Sequence, residues 1–242
     1  MTYLIIGASS DIGKALIKKI NSEAKGSNEK PVVIGHYRSS KDELEIIGNE
    51  STNIELKLVK ADLSCEQEVL AFVDNIKEYS ENVDKISFLP AAAFDYMRMK
   101  SLDIEKLKLE MEISVYSFLK IMQAFLPDMK KSEGSRVVGL LTKYVTDNMP
   151  PKFMTDYVVT KYALLGAIKS MASEYGGGKL IVAGLAPDMI NTKFLNNIDD
   201  RIKELTAMNM KDGRLLEPSE VADEIYRLFT SDDIENGQIY EM

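Results

Sequence analysis

The sequence predicts an α/β fold: a doubly wound, mainly parallel sheet of about seven strands flanked by helices. Three observations carry this. Short β-type runs alternate with longer stretches of helical periodicity along all 242 residues, as in repeated β-α-β units with right-handed crossovers. Most of these runs are continuously apolar rather than alternating, the signature of strands covered on both faces. No composition break, low-complexity tract or internal repeat marks a linker, so residues 1–242 read as one domain, long enough to bury about 70% of its unfolded surface.

The candidate strands are Tyr3–Ile6, Val32–Gly35, Ile54–Val59, Ile86–Leu89, Arg136–Leu141, Lys179–Ala183 and a weak Gln238–Tyr240. Helical patterns lie between them at Ile12–Ala24, Lys41–Gly48, Glu66–Tyr79, Ile104–Met129, Thr155–Tyr175 and Ser219–Thr230. In the first, Ile12, Ala15, Leu16 and Ile20 share one stripe. In the last, Pro218-Ser219 opens a helix whose Val221, Ile225, Leu228 and Phe229 face inward. The least regular stretch, Asn191 to Leu216, follows the sixth strand, where the segment lies over the carboxyl ends of the strands and over any ligand. It reads equally as a substrate lid over 191–216 or as a surface excursion with short helices.

Composition narrows the function. A formal charge of −8 argues against a nucleic-acid partner, whose footprint is basic. The single cysteine, Cys65, excludes an internal disulfide, and with only His36 beside it no Cys/His zinc cluster can form. Cys65 reads as a small residue at a helix start, and His36 as a packing or cofactor-side residue. Tyr3–Ile6 has no basic region before it and stops at Gly7. Leu180 to Ala186 is far short of the roughly 20 residues needed to cross a bilayer. The expectation is a cytoplasmic protein with no membrane partner and no metal.

Chemistry begins at Gly7-Ala8-Ser9-Ser10-Asp11-Ile12-Gly13-Lys14, a small-residue turn between a strand and a helix. Glycines there let the backbone approach a pyrophosphate, which then sits on the helix N-terminus. A Walker loop does not fit, because five residues separate the glycines and Ala15 follows Lys14. G-x-G-x-x-G fails at Ser9. G-x-x-x-G-x-G fits, with Asp11 in place of the middle glycine. A carboxylate 4 Å from a phosphate charge would cost about 4 kcal/mol at an effective dielectric near 20, so Asp11 is expected to point away or to cap the helix. A turn chosen only for tight packing is the competing reading. The second strand ends in His36-Tyr37-Arg38-Ser39-Ser40-Lys41, with no acidic residue for a ribose 2′-hydroxyl. Arg38, Lys41 and Lys14 could instead neutralise a 2′-phosphate; a solvated basic loop is the alternative. If a dinucleotide binds, NADP(H) is favoured over NAD(H).

Tyr157 and Lys161 form a Y-x-x-x-K pair, which a helix places on one face. A nearby cation lowers a phenol pKa and lets tyrosine exchange a proton with a carbonyl or alcohol. The spacing alone decides nothing, since Tyr37/Lys41, Tyr96/Lys100, Tyr116/Lys120 and Tyr175/Lys179 share it. Context selects Tyr157: it alone starts a helix of small and apolar residues after an apolar strand, Val137–Leu141, that ends at a hydroxyl, Thr142.

At this point the chain resembles the short-chain dehydrogenase/reductase family, as a divergent member. The resemblance runs over essentially the whole chain: the glycine turn, Asp62-Leu63 after the third strand, Thr142 after the fifth, Tyr157/Lys161, and Pro187 to Thr192 after the sixth. It implies a single Rossmann-type domain, a nicotinamide cofactor and hydride transfer. By the same resemblance Tyr157 is the proton donor, and Lys161 binds the nicotinamide ribose and lowers the tyrosine pKa. Thr142 stands for the usual serine on the substrate oxygen, Asp62 meets the adenine and Thr192 the nicotinamide amide. Gly7, Ser9, Ser10, Asp11, Ile12, Gly13, Arg38, Ser39, Leu63, Ala91, Ala92 and Pro187 complete the implied cofactor site.

Four departures from the family pattern stand out. Pro90-Ala91-Ala92-Ala93 replaces Asn-Asn-Ala-Gly; Ser114 stands at the relay asparagine; Asp188 replaces a glycine; and the Asp-Gly-Gly that often follows the last strand is missing. The expected function is NADPH-dependent reduction of a 3-oxoacyl-thioester-, polyketide- or sugar-like ketone. The substrate, a small carbonyl or alcohol, is either free or carrier-bound. The alternative is a catalytically impaired relative acting as a nucleotide sensor or inactive partner subunit. A homodimer or homotetramer through Ile104–Met129 and the helix after Tyr157 is expected on the resemblance alone.

Overall fold

The computed structural model describes residues 1–80, 82–92, 96–147, 149–175, 178–210 and 212–242. Ala93 of the altered Pro90–Ala93 stretch lies outside them.

Seven strands form one all-parallel sheet in the order β3-β2-β1-β4-β5-β6-β7. They are β1 (Thr2–Ile6), β2 (Val32–Tyr37), β3 (Glu55–Lys60), β4 (Lys85–Phe88), β5 (Arg136–Leu140), β6 (Ile181–Ala186) and β7 (Ile239–Glu241). The helices are α1 (Asp11–Glu23), α2 (Asp42–Glu50), α3 (Glu66–Tyr79), α4 (Ile104–Met111), α5 (Ser117–Met129), α6 (Thr155–Tyr175), α7 (Asp200–Asn209) and α8 (Pro218–Thr230).

The two-residue period of a strand explains the layers. Leu4 and Ile6 of β1 point into a core shared with Phe72 of α3, Phe118 of α5 and Leu164 of α6. Tyr3 and Ile5 point the other way, into a core with Leu16 and Ile20 of α1 and Ile225 and Phe229 of α8. With both faces covered, the inner strands β1, β4, β5 and β6 bury nearly every side chain, which is why they read as continuous apolar runs, whereas β3 and β7 at the sheet edges stay partly exposed. The order changes direction where β1 lies between β2 and β4. There the crossovers leave on opposite faces and open a cleft at the carboxyl ends of the strands.

Two elements differ from expectation. The sixth strand runs over Ile181–Ala186 rather than Lys179–Ala183, because its ladder with β5 begins at Arg136↔Ile181 and Lys179 pairs with Glu133 outside the sheet. The stretch 104–129 is not one uniform helix: a π-turn at Glu112–Tyr116 separates α4 from α5. Among the described residues, no helix is long and apolar enough to cross a membrane.

The turn after β1 is closely packed, backbone against backbone. Gly7 has φ +85°, in the left-handed region. A Cβ on Gly13 would lie 2.5 Å from the Gly7 carbonyl oxygen and 2.6 Å from Ala8 Cα, both backbone atoms that cannot yield. Ser10 caps α1, accepting the Gly13 N–H at 3.0 Å and donating its hydroxyl to the Gly7 carbonyl at 2.7 Å. Gly13→Ala is therefore expected to lower stability by about 3 kcal/mol or prevent folding, the upper range of overpacking. Gly166→Ala in α6, with open space around the new methyl, is expected to raise it by up to about 1 kcal/mol. Chemical denaturation of both variants measures the contrast.

Candidate active site

A cavity of about 720 Å³ runs along the carboxyl ends of the strands, from the glycine turn to Tyr157. At one end, Gly7, Ser9, Ser10, Asp11 and Ile12 form its floor, and the N-terminus of α1 opens onto it. Arg38 and Ser39 follow β2, Asp62 and Leu63 follow β3, and Ala91 and Ala92 follow β4. At the other end stand Thr142, Tyr157, Lys161, Pro187 and Thr192. Of the five Tyr/Lys pairs, only Tyr157/Lys161 has both members on this wall.

Lys161 is buried, its ammonium donating to the Leu140 carbonyl at 2.7 Å. It lies 5.8 Å from the centroid of the Tyr157 ring. Thr142 shares this part of the cavity wall with the Tyr157 phenol and favours its ionised form. The expectation that Lys161 depresses the phenol pKa does not hold here. Burial dominates both groups: it pushes the Tyr157 phenol well above its ordinary value, against the smaller effect of Thr142, and pulls Lys161 down to about 7. At neutral pH the phenol keeps its proton and the ammonium is poised to exchange one.

Four residues depart from their expected places. Gly13 lies beneath the turn, against the Gly7 carbonyl, rather than on the cavity wall. Ser114 sits buried inside the π-turn and is not on the wall; the extra residue of that turn changes which side chains face the cleft, and Glu110 and Ile113 reach it. Lys14 and Lys41 are also off the wall. Lys14 is held by Asp11 at 3.1 Å and Glu43 at 2.5 Å, and Lys41 by Glu45 at 2.7 Å. Arg38 therefore remains as the basic residue beside the second strand's end that faces the cavity.

Sequence reading underrated two residues. His36 is buried, packs edge-on to Phe72 at 5.2 Å, and accepts the Gly7 N–H on Nδ1 at 3.1 Å. Its Nε2 therefore carries the proton, donated to the Ala61 carbonyl at 3.0 Å. Its only signal was its position at a strand end. Asp156, directly before Tyr157, is also buried; its Oδ1 accepts the Tyr157 N–H at 2.8 Å and its Oδ2 lies 3.6 Å from Lys106 on the cavity wall. Across the mouth, Asp188 pairs with Lys143 at 3.0 Å.

The residues present fit a dinucleotide. A cavity of this volume, a left-handed glycine under a helix N-terminus, and a turn too tight for a Cβ make a cradle for a pyrophosphate.

Comparison with known proteins agrees with this geometry. A family model described as enoyl-(acyl carrier protein) reductase matches residues 8–238. A 3-oxoacyl-(acyl-carrier-protein) reductase of Staphylococcus epidermidis is 22% identical over 226 residues, 92% of this chain and 88% of the relative. A short-chain dehydrogenase from Burkholderia cenocepacia in complex with NADP superimposes with a TM-score of 0.84 at 19% identity, over 99% of this chain and 95% of that one. A 3-ketoacyl-(acyl-carrier-protein) reductase from Brucella melitensis complexed with NADH gives 0.84 at 21% identity, over 100% and 96%.

Burial also pulls His36 down to about 4, against the opposing Ala61 hydrogen bond. Its folded pKa thus lies below its unfolded value near 6.5, so the unfolded chain binds the extra proton between these limits. Stability is fully present above pH 6.5 and falls as pH drops toward 4, by on the order of 3 kcal/mol. Denaturant unfolding at several pH values is expected to show this slope, and His36→Gln to flatten it.

Proposed function

The chain belongs to the short-chain dehydrogenase/reductase family and is an oxidoreductase of that type, and from that premise we propose that it reduces a small ketone with NADPH. The observation that carries the reading is the meeting of Thr142, Tyr157 and Lys161 on the cavity that begins at the glycine turn. The nicotinamide, when bound, supplies the hydride to the carbonyl carbon. The protein's part is to hold the carbonyl oxygen between the Thr142 and Tyr157 hydroxyls and to deliver a proton to it. As the carbon–oxygen double bond becomes a single bond, the oxygen approaches an alkoxide, a stronger base than a tyrosinate. Transfer of the Tyr157 proton is then downhill even though burial raises the phenol pKa. Lys161, poised near pH 7, exchanges protons with the site and offers its ammonium to a ribose hydroxyl.

Preference for the phosphorylated cofactor rests on Arg38 and Ser39, with no acidic side chain at the end of β2. One side of the substrate half of the cavity is apolar, facing Lys106 and Glu110 on the same wall. Phe194, Leu195 and Ile198 join Met154, Val158 and Met189 in a small cluster beside Tyr157, and the Phe194 and Tyr157 rings are 6.0 Å apart. We read the segment 191–216 as the cover of that half, its ends joined by the Ile190–Leu216 bridge. Met208 points to solvent, whereas Met210 packs on the cluster. Ile104, Leu109, Tyr116, Val159 and Tyr162 stay exposed along α4, the π-turn and α6, a face that a second copy of the chain would cover.

Tyr157→Phe is expected to lower turnover of an apolar β-keto ester by about 10²–10⁴-fold while leaving NADPH affinity nearly unchanged. Undiminished turnover would falsify the role of Tyr157. Wild-type protein that binds NADPH but reduces no ketone would favour the sensor reading, for which the off-wall position of Ser114 is the one structural motive. Arg38→Asp is expected to weaken NADPH binding at least about tenfold relative to NADH, measured by titrating both; an unchanged ratio would place the 2′-phosphate elsewhere.

A further inference from the structure

Asp11 stands where the resemblance calls for a glycine, and its charge faces a site suited to phosphates. The structure gives that carboxylate other partners. Asp11 Oδ2 accepts the backbone N–H of Lys193 at 2.8 Å. Asp11 Oδ1 lies 3.1 Å from the Lys14 ammonium. Glu43, at the start of α2, completes a ring by reaching Lys14 at 2.5 Å and the Lys193 ammonium at 3.2 Å. Four charged side chains from α1, α2 and the turn after β6 thus sum to zero around one edge of the cleft.

The contact with Lys193 differs in kind from the ion pairs. Surface ion pairs are individually weak and screened by salt, whereas a backbone N–H given to a carboxylate is charge-assisted and fixes the chain itself. Burial works against the Asp11 charge, yet the Lys193 N–H and Lys14 outweigh it and hold the carboxyl below its ordinary range. Lys193 follows Thr192 and precedes Phe194, and all three line the cavity. The glycine turn under the pyrophosphate end is therefore tied to the segment that covers the nicotinamide end.

We propose that Asp11 is a cofactor-positioning residue: it binds the cover of the cleft rather than the cofactor, holding the Thr192–Phe194 segment against the glycine turn so that the dinucleotide is retained between them. Glu43 supports it by occupying Lys14 and Lys193. This role rests on the cofactor assignment above. It reverses the sign that a carboxylate beside a phosphate would otherwise have: simple repulsion makes removal of Asp11 tighten binding, whereas a strap makes removal loosen it.

The test combines two readouts on Asp11→Gly, Asp11→Asn and Glu43→Gln. In the ligand-free protein, hydrogen exchange at the Lys193 amide is expected to rise at least about tenfold in Asp11→Gly, with a smaller rise in Asp11→Asn, which keeps a carbonyl acceptor. In fluorescence titrations, NADPH and NADH are both expected to bind Asp11→Gly about five- to tenfold more weakly through faster release, with Glu43→Gln intermediate. Unchanged exchange, or dinucleotide bound as tightly as or more tightly than by wild type, overturns the proposal. Wild-type protein that binds neither dinucleotide overturns the functional reading and the positioning role with it. Normal wild-type binding with an unaffected Asp11→Gly overturns the positioning role alone.

Discussion

The close approach of Gly13 to the Gly7 carbonyl is the constraint on which the rest of the site depends. It brings the start of α1 directly over the end of β1, so that the helix N-terminus faces the cleft where the strand order changes direction. The chain commits its only histidine to the same place. His36 receives the Gly7 N–H and gives its own proton to Ala61, so one neutral ring joins the ends of β1, β2 and β3. Ser10 closes the turn from the other side. These bonds fix the turn, and Gly7, Ser9, Ser10, Asp11 and Ile12 line the cavity from it.

The far end of the cavity is built on a different principle. There a lysine is buried with no carboxylate paired to it among the described residues, and is tied instead to a strand carbonyl. Burial shifts it and the neighbouring phenol in opposite directions, leaving one proton firmly held and another poised near neutrality. The overall charge of −8 is compatible with an anionic ligand because the acidic residues nearest the turn are occupied by lysines, while Arg38 is left facing the cavity. The protein is acidic in bulk and close to neutral where the phosphates would lie.

Most of the fold was legible because apolar runs and helical stripes are local properties. The glycine turn and Tyr157/Lys161 were legible as an ordered set, even though neither was decisive alone. What stayed hidden depends on contacts distant in the chain. Of the two partners of Lys14, Asp11 lies one helical turn before it and was readable, whereas Glu43 is 29 residues away and was not; Lys41 was readable, since Glu45 is one helical turn on. The π-turn was invisible because apolar residues continue through it, and so Ser114 was expected at the cavity. The Asp11–Lys193 bond spans 182 residues, and no pattern near either residue announces it. The direction of the Tyr157 shift was misjudged for a related reason: spacing reveals the neighbouring cation, but burial depends on the whole fold.

The most direct measurement of the central claim is a fluorescence titration of wild-type protein with NADPH and with NADH. The account predicts saturable binding of one dinucleotide per chain, tighter for NADPH, and lost when Gly13 is replaced by a residue that fills the turn in a protein still shown to be folded. Absence of binding to either dinucleotide at millimolar concentration would contradict it.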